Sequence, residues 1–387
     1  MKPILLFLIF VNLQGSNGDA YKWRNFLPTT KSLPKGEIGS KISLRLVDKQ
    51  WMPDGTEGIQ NDDVIPRYRG KVKDALKMFM SEDLEVKYHK SELEKAKDLL
   101  KEENGYKKDQ DSIFLIHTVS GSAKDNFIKN SVIALALRNF LKKYNVFAFH
   151  MKELQDYMEQ SVVKAMYGQR ANYDDLSETI GGFFNSVIGD NLMDIDRIHL
   201  VGFCFSAQLA GYISRYVSSK NGGKKIKSIT ALDPYSSFLF GIKNKVISKH
   251  DAELVFVYHT NSLFAGSMYR KATADFTINN GWFQPGCSYS TNILCSHRRS
   301  VTLFWYVILY PELWTARKCS SYLMFSSCFC SFAEKTSLVF PPAPGARGTY
   351  YLNTMKHKPY GFGPAGANCI TFFRKKKAND IVNKISN

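Results

Sequence analysis

Three residues able to run acyl-transfer chemistry follow one another along the chain: Cys204, Asp233 and His297. Cys204 sits in Gly202-Phe203-Cys204-Phe205-Ser206, between the apolar run Ile198-His199-Leu200-Val201 and a small and apolar stretch suited to a helix. That is the layout of a nucleophile elbow, G-x-S-x-G, in which a sharp strand-to-helix turn raises a nucleophile above the end of a parallel sheet. Here the pattern reads G-x-C-x-S. Asp233 ends the run Ile226–Leu232 and precedes Pro234, which puts its carboxylate at a strand terminus. His297 lies in the basic stretch Cys295-Ser296-His297-Arg298-Arg299-Ser300. In a triad of this kind His297 takes the proton from Cys204, while Asp233 orients the ring and stabilises the imidazolium. Each residue alone has an ordinary explanation: a turn aspartate, a solvated histidine, an inert core cysteine. Order and context together carry the weight.

The elements that must position these residues are legible from residue 111 onward. Apolar runs at Ile113–Ile116, Tyr144–Phe149, Ile198–Val201, Ile226–Leu232 and Val255–Tyr258 alternate with helical stretches, one of them around 131–143. Continuous apolar strands separated by helices predict an α/β fold: a mainly parallel sheet covered on both faces. In such sheets the site lies at the carboxyl ends of the strands, where Cys204 and Asp233 fall. Residues 20–110 are polar and charged, with a strand expected at Ile42–Val47. A surface helix is expected over Ser91–Leu100, opened by a capping box of Ser91 and Glu94, with Gly105 beyond its end. The run Val301–Tyr310 stops at Pro311 and predicts a buried helix rather than a membrane span.

Composition sets the surroundings. The chain has 387 residues, 44% hydrophobic and 22% charged, enough apolar material for a large core. Met1-Lys2 followed by Ile4–Val11 and then Gly15-Ser16-Asn17-Gly18 predicts a signal peptide over 1–18 and a secreted, extracellular protein. A charged N-terminal region, 19–110, is expected to pack on a hydrolase-type domain over 111–387. Seven cysteines agree with an oxidising compartment, and the odd count leaves one thiol over. Setting Cys204 aside leaves Cys287, Cys295, Cys319, Cys328, Cys330 and Cys369; Cys287–Cys295 and Cys319–Cys328 are the local pairs, with connectivity open. The 52 Lys and Arg exceed the 35 Asp and Glu by 17, which favours peripheral contact with anionic lipid surfaces or polyanions. Arg374-Lys375-Lys376-Lys377 is the one dense cluster, and it reads most simply as a solvated tail. No zinc-ligand spacing, P-loop or RNA-binding signature accompanies the charge, so no metal, no cofactor and no nucleic-acid partner is expected. The sequence carries no N-x-S/T sequon.

These landmarks together resemble the secreted neutral-lipase family, which includes pancreatic-type and insect lipases, venom sn-1 phospholipases and yolk proteins. The matching segments are His117-Thr118-Val119, the elbow at 202–206, and Ile229-Thr230-Ala231-Leu232-Asp233-Pro234. They continue through His259-Thr260-Asn261, Gln284-Pro285-Gly286-Cys287, Cys295-Ser296-His297 and Tyr350-Tyr351-Leu352-Asn353-Thr354. The resemblance implies an α/β-hydrolase fold with Cys204 at the nucleophile position, Asp233 as acid and His297 as base. It also implies an oxyanion hole built from the backbone N–H groups of Val119 and Phe205. The family's lid would be a stub here, since only Ser288–Leu294 separate Cys287 from Cys295.

Three departures from the family pattern bear on activity: serine becomes Cys204, the closing glycine of the elbow becomes Ser206, and the glycine after His117 becomes Thr118. A thiol beside a histidine ionises more readily than a hydroxyl and is intrinsically nucleophilic. Against turnover, a thiolate leaves better than a lipid alkoxide, so the tetrahedral intermediate tends to collapse back to substrate. Losing a triad member outright costs roughly four to six orders of magnitude. Three readings follow. The first is a secreted carboxylic ester hydrolase using Cys204, restricted to activated esters or thioesters. The second is a catalytically impaired homologue that binds lipid or another hydrophobic ligand. The third is an interaction protein acting through its basic surface.

Overall fold

The computed structural model describes residues 35–51, 85–117, 126–151, 173–235, 246–288 and 294–369. Among these residues one sheet of eleven strands organises the chain, in the order β10-β9-β11-β8-β7-β6-β5-β3-β4-β1-β2. The strands are β1 (Ser43–Val47), β2 (Tyr88–Glu92), β3 (Ser112–Ile116), β4 (Asn145–His150), β5 (Ile198–Phe203) and β6 (Ser228–Leu232). The rest are β7 (Leu254–His259), β8 (Ala274–Ile278), β9 (Thr315–Lys318), β10 (Lys335–Ser337) and β11 (Gly348–Leu352). From β4 through β11 the central neighbours pair in parallel. Two antiparallel strands close each edge, β1 and β2 on one side and β9 and β10 on the other. This is the α/β-hydrolase arrangement.

Every residue of β3, β6 and β8 is buried, as a parallel strand covered on both faces requires. Alternate side chains meet different helices. Ile113 and Leu115 enter the large core cluster with α2 (Asn126–Leu137) and α6 (Cys295–Leu309). Phe114, between them, stacks on Phe147 and meets Phe184 of α4 (Tyr173–Gly189) edge-on at 4.8 Å. α5 (Phe205–Lys220) and the short α1 (Lys35–Ser40) pack beside α4.

The expected strands at 42–47, 113–116, 144–149, 198–201, 226–232 and 255–258 all form, with ends shifted by one or two residues. The helix expected around 131–143 begins earlier and breaks into α2 and α3 (Phe140–Lys143) at Asn139, whose backbone is left-handed. The run 301–310 forms the greater part of α6. The capping box does not form: Ser91 is spent in β2, paired with Leu44 of β1, and a 3₁₀ helix starts at Leu93 with Glu92 as an N-cap whose side chain makes no cap bond. Gly105 instead ends the next short turn, at φ 78°. The expected signal peptide over 1–18, Val119 and the 374–377 cluster lie outside the described residues.

Candidate active site

Strand register brings the first two site residues to one level. Phe203 of β5 pairs with Leu232 of β6, so Cys204 and Asp233 are the first residues beyond adjacent strand ends. Cys204 N–H donates to the Leu232 carbonyl, and Tyr235 N–H donates to the Cys204 carbonyl, 3.0 Å each. Cys204 itself adopts φ 57°, ψ −118°, a conformation that non-glycine residues rarely take, and α5 begins at the next residue. The turn is sharp because nothing stands at position 202. A Cβ there would overlap the Ser206 carbonyl and the Ala207 nitrogen, both backbone atoms that cannot step aside. Position 206 is different. Ser206 lies within α5 and is buried, so the glycine of the family pattern is replaced without a left-handed residue being forced on serine.

Asp233 is fully buried and entirely committed. Its Oδ1 accepts from the backbone N–H of Thr260 (2.8 Å) and Asn261 (3.1 Å), just past β7. Its Oδ2 lies 2.6 Å from His297 Nδ1. Gly266 presses on the same carboxylate so closely that a Cβ would overlap it. His297 stands in the first turn of α6, not in a loop, and is buried. Ser296 beside it accepts from Gln284 N–H, and the Gln284 side chain donates to the carbonyls of Thr260 and Ile278. The loop carrying the acid's donors and the helix carrying the histidine are thus tied to each other.

With Nδ1 on Asp233, His297 Nε2 is left buried and without a hydrogen bond of ordinary geometry; Cys204 is the neighbour whose charge acts on the ring. Burial disfavours the imidazolium, but the charge of Cys204, hydrogen bonding to Asp233 and Cys204, and the charge of Asp233 outweigh it. The net effect raises His297 above its ordinary pKa. Cys204 is partly exposed and is the one free cysteine of the chain. Phe203 packs on the His297 ring at 4.7 Å and on His117 at 6.4 Å.

Phe205, expected to supply an oxyanion donor, is the first residue of α5, where a backbone N–H has no intrahelical acceptor. Two tyrosines escaped the sequence reading. The Tyr173 ring is sandwiched between Phe205 (4.1 Å) and Tyr212 (4.6 Å), and its buried hydroxyl makes no hydrogen bond. Burial, and then the charge of Cys204, raise the pKa of both Tyr173 and Tyr235. Only Tyr235 carried a local signal, two residues past Asp233.

His259, another landmark, is no part of this constellation. It is buried between Asp275 (2.8 Å) and the Ser267 carbonyl, with Arg270 on its Nδ1, and braces β7 against β8. Cys287–Cys295 bridges as expected, at the foot of the helix that carries His297. Cys319 does not pair with Cys328: the bridges are Cys319–Cys330 and Cys328–Cys369. Cys328 turns through a left-handed residue after the short helix α7 (Tyr322–Ser326), and the later chain returns to meet it while Cys330 folds back on Cys319.

A protein-family model described as Lipase matches residues 56–360. Hepatic triacylglycerol lipase of Oryctolagus cuniculus is 33% identical over 156 residues, 35% of this chain and 31% of that protein. Phospholipase A1 1 of Dolichovespula maculata is 30% identical over 199 residues, 50% of this chain and 60% of that protein. Phospholipase A1 of Vespa velutina is 29% identical over 197 residues, 50% and 63% respectively. The chain thus matches between 31% and 63% of the length of these relatives.

Proposed function

The chain belongs to the lipase family, and on that footing we propose that it hydrolyses acyl esters through a covalent thioester on Cys204. His297 Nε2 takes the thiol proton as Sγ attacks the acyl carbon. The resulting oxyanion is received by the backbone N–H groups of Phe205 and Val119. The bond to the leaving group breaks as His297 returns its proton to the departing oxygen or sulfur. Water then attacks the thioester, gives its proton to His297, and the acid departs as Sγ is reprotonated. Asp233 holds Nδ1–H throughout and balances the imidazolium. The observation that carries this reading is the 2.6 Å Asp233–His297 pair beside a cysteine held at φ 57°.

Sulfur narrows the substrate class. From the tetrahedral intermediate a thiolate departs more readily than an alkoxide, so glyceride and phospholipid esters return to substrate more often than they go forward. Thioesters and aryl esters, whose leaving groups compete with Cys204, are the substrates this site turns over. One observation favours a second reading, a lipid-binding protein without turnover: the chain departs from the family pattern at Thr118, Cys204 and Ser206 together.

Three disulfides suit an oxidising compartment. We place the protein outside the cell, with residues 1–18 as its signal peptide. The 19–110 region is read as packed on a hydrolase domain over 111–387, in keeping with β1 pairing to β4.

The test compares wild type, Cys204→Ser and Cys204→Ala on a p-nitrophenyl ester, an acyl thioester and a phospholipid. Thioester turnover by wild type that vanishes in Cys204→Ala supports the thioester mechanism. Silence from wild type with phospholipid turnover gained by Cys204→Ser supports lipid binding at an intact but disarmed site. Silence from all three folded proteins overturns hydrolysis.

A further inference from the structure

A patch of large apolar side chains stands in solvent far from the triad. Phe329 and Leu323 are about three-quarters exposed, at 74% and 73%, and Phe332 is fully exposed. All three sit on the 319–334 segment, which Cys319–Cys330 closes into a loop and Cys328–Cys369 ties to the later chain. The segment has its own apolar underlayer of Cys319, Phe325 and Tyr351, so these three side chains are not needed to fill a core. Arg317 fixes it from below, donating to the Ala333 and Ser331 carbonyls and, at 2.7 Å, to the Ala367 carbonyl. Phenylalanines held out by covalent and polar ties are preorganised, and exposed apolar clusters of this kind mark interaction sites.

Strand register fixes which end of the sheet this is. Lys318, the last residue of β9, pairs with Tyr350 in the middle of β11, Cys319 N–H next donates to the Thr349 carbonyl on the amino side of Tyr350, and Gly348 pairs with Ala274, which opens β8. The segment therefore leaves from the amino ends of the parallel strands, while Cys204 and Asp233 follow carboxyl ends. Exposed cations crowd the same end: Lys271 before β8, Arg347 before β11 and Lys335 opening β10. Lys249, His250, Arg270 and Lys271 line a cleft of about 430 Å³ between the segments leading into β7 and β8, with no carboxylate in its lining. Of the carboxylates nearby, Glu334 is tied to Lys318 and Asp251 to Arg215, leaving Glu253 as an exposed one.

We infer that this end of the molecule docks on an anionic lipid bilayer, with Phe329, Phe332 and Leu323 entering the headgroup–acyl boundary while Lys249, Lys271, Lys335 and Arg347 meet lipid phosphate. The pairing of protruding apolar groups with a basic rim selects this occupant. A second copy of the chain would bring like charge against like charge, and a sulfated polysaccharide has no use for the phenylalanines. The docked chain presents its candidate active site away from the bilayer, toward substrate arriving from solution or from another particle.

The experiment is cosedimentation of the full chain with vesicles of phosphatidylcholine alone and with phosphatidylglycerol added. Wild type partitions onto the phosphatidylglycerol vesicles, less so as salt rises. Phe329→Ser/Phe332→Ser lowers that partitioning about tenfold or more, and Lys271→Gln and Arg347→Gln lower it about fivefold each. Cys204→Ala leaves it unchanged. The melting temperature of each variant is checked, and Phe332→Trp adds a readout free of lost contacts, its emission shifting to the blue on these vesicles. No partitioning by wild type, equal partitioning by the phenylalanine variant, an unshifted tryptophan, or a wild-type dimer lost in the phenylalanine variant overturns the inference.

Discussion

Replacing Asp233 by asparagine is the sharpest perturbation of the site, because the structure dictates how the amide must sit. Oδ1 is held by two backbone donors, Thr260 N–H at 2.8 Å and Asn261 N–H at 3.1 Å. The asparagine carbonyl has to take that side, since the reverse orientation would set an NH₂ against two N–H groups and forfeit both bonds. The amide nitrogen then faces His297 Nδ1 at the place of the present 2.6 Å contact. Nδ1 must become the acceptor, so the ring carries its proton on Nε2 and can no longer take one from Cys204. The same tautomer inversion in a serine triad costs about four orders of magnitude in kcat, equivalent to roughly 5.5 kcal/mol of lost transition-state stabilisation. Because the volume is unchanged and the backbone bonds survive, folding is preserved. Two assays read the outcome: thioester turnover, and the rate at which iodoacetamide alkylates Cys204, the only free thiol. Both fall steeply while the melting temperature holds. Turnover within tenfold of wild type would refute the assignment of Asp233 to His297.

Three further outcomes follow from the packing. Cys204→Gly relieves a backbone angle that costs a non-glycine residue about 1–3 kcal/mol, so it raises the melting temperature while abolishing turnover and alkylation; a lower melting temperature speaks against a strained elbow. Gly266→Ala drives a methyl group into the Asp233 carboxylate; activity falls at least a hundredfold, by analogy with the cost of a small misplacement of catalytic groups, and the substitution is checked by kcat/KM beside calorimetry. Asp111 accepts from Lys227 (2.7 Å) and meets His199 (3.0 Å), and although burial pushes its carboxyl up, these partners hold it at about 2. A depressed carboxyl stabilises the fold above its unfolded pKa near 3.8 and loses that contribution as pH falls through about 2. Asp111→Asn therefore melts lower than wild type at neutral pH, by about 1 kcal/mol after solvent screening, and the two melting curves converge in that acid window.

What the sequence made legible follows from what each strand must bury. β3, β5, β6 and β7 lie in the middle of the sheet and are apolar along almost their whole length, so they stand out as runs. β8 and β9 do not, because polar residues there have structural tasks. Asp275 and Thr277 brace His259 and Arg270, and Arg317 ties down the stapled segment. Cys204, Asp233 and His297 were readable through chain order and strand ends. Tyr173 was not, since it reaches the site through a helix and its stacking on Phe205 leaves no local pattern. Gly266 and Gln284 act through close approach and backbone carbonyls, which residue type alone does not announce. Ser91 shows the opposite error: a sound capping signal loses to strand pairing with β1, which satisfies more of the backbone at once.

The elbow distinguishes a retained device from a relic by what it still costs. The change from glycine to Ser206 falls inside a helix and asks nothing of the backbone, whereas Gly202 is kept where a Cβ would meet main-chain atoms. Cys204 keeps φ 57° although a protein that only bound lipid would gain from relaxing it or placing glycine there. The acid likewise keeps two backbone donors, a glycine pressed against it and a histidine at 2.6 Å, all buried and all costly to hold in one arrangement. Strain and buried polar groups persist where the surrounding structure over-determines them, and they concentrate where an atom must be aimed. At this elbow the aimed atom is sulfur. The intact scaffolding around it favours a site that handles acyl groups with a thiol over one that has ceased to handle them.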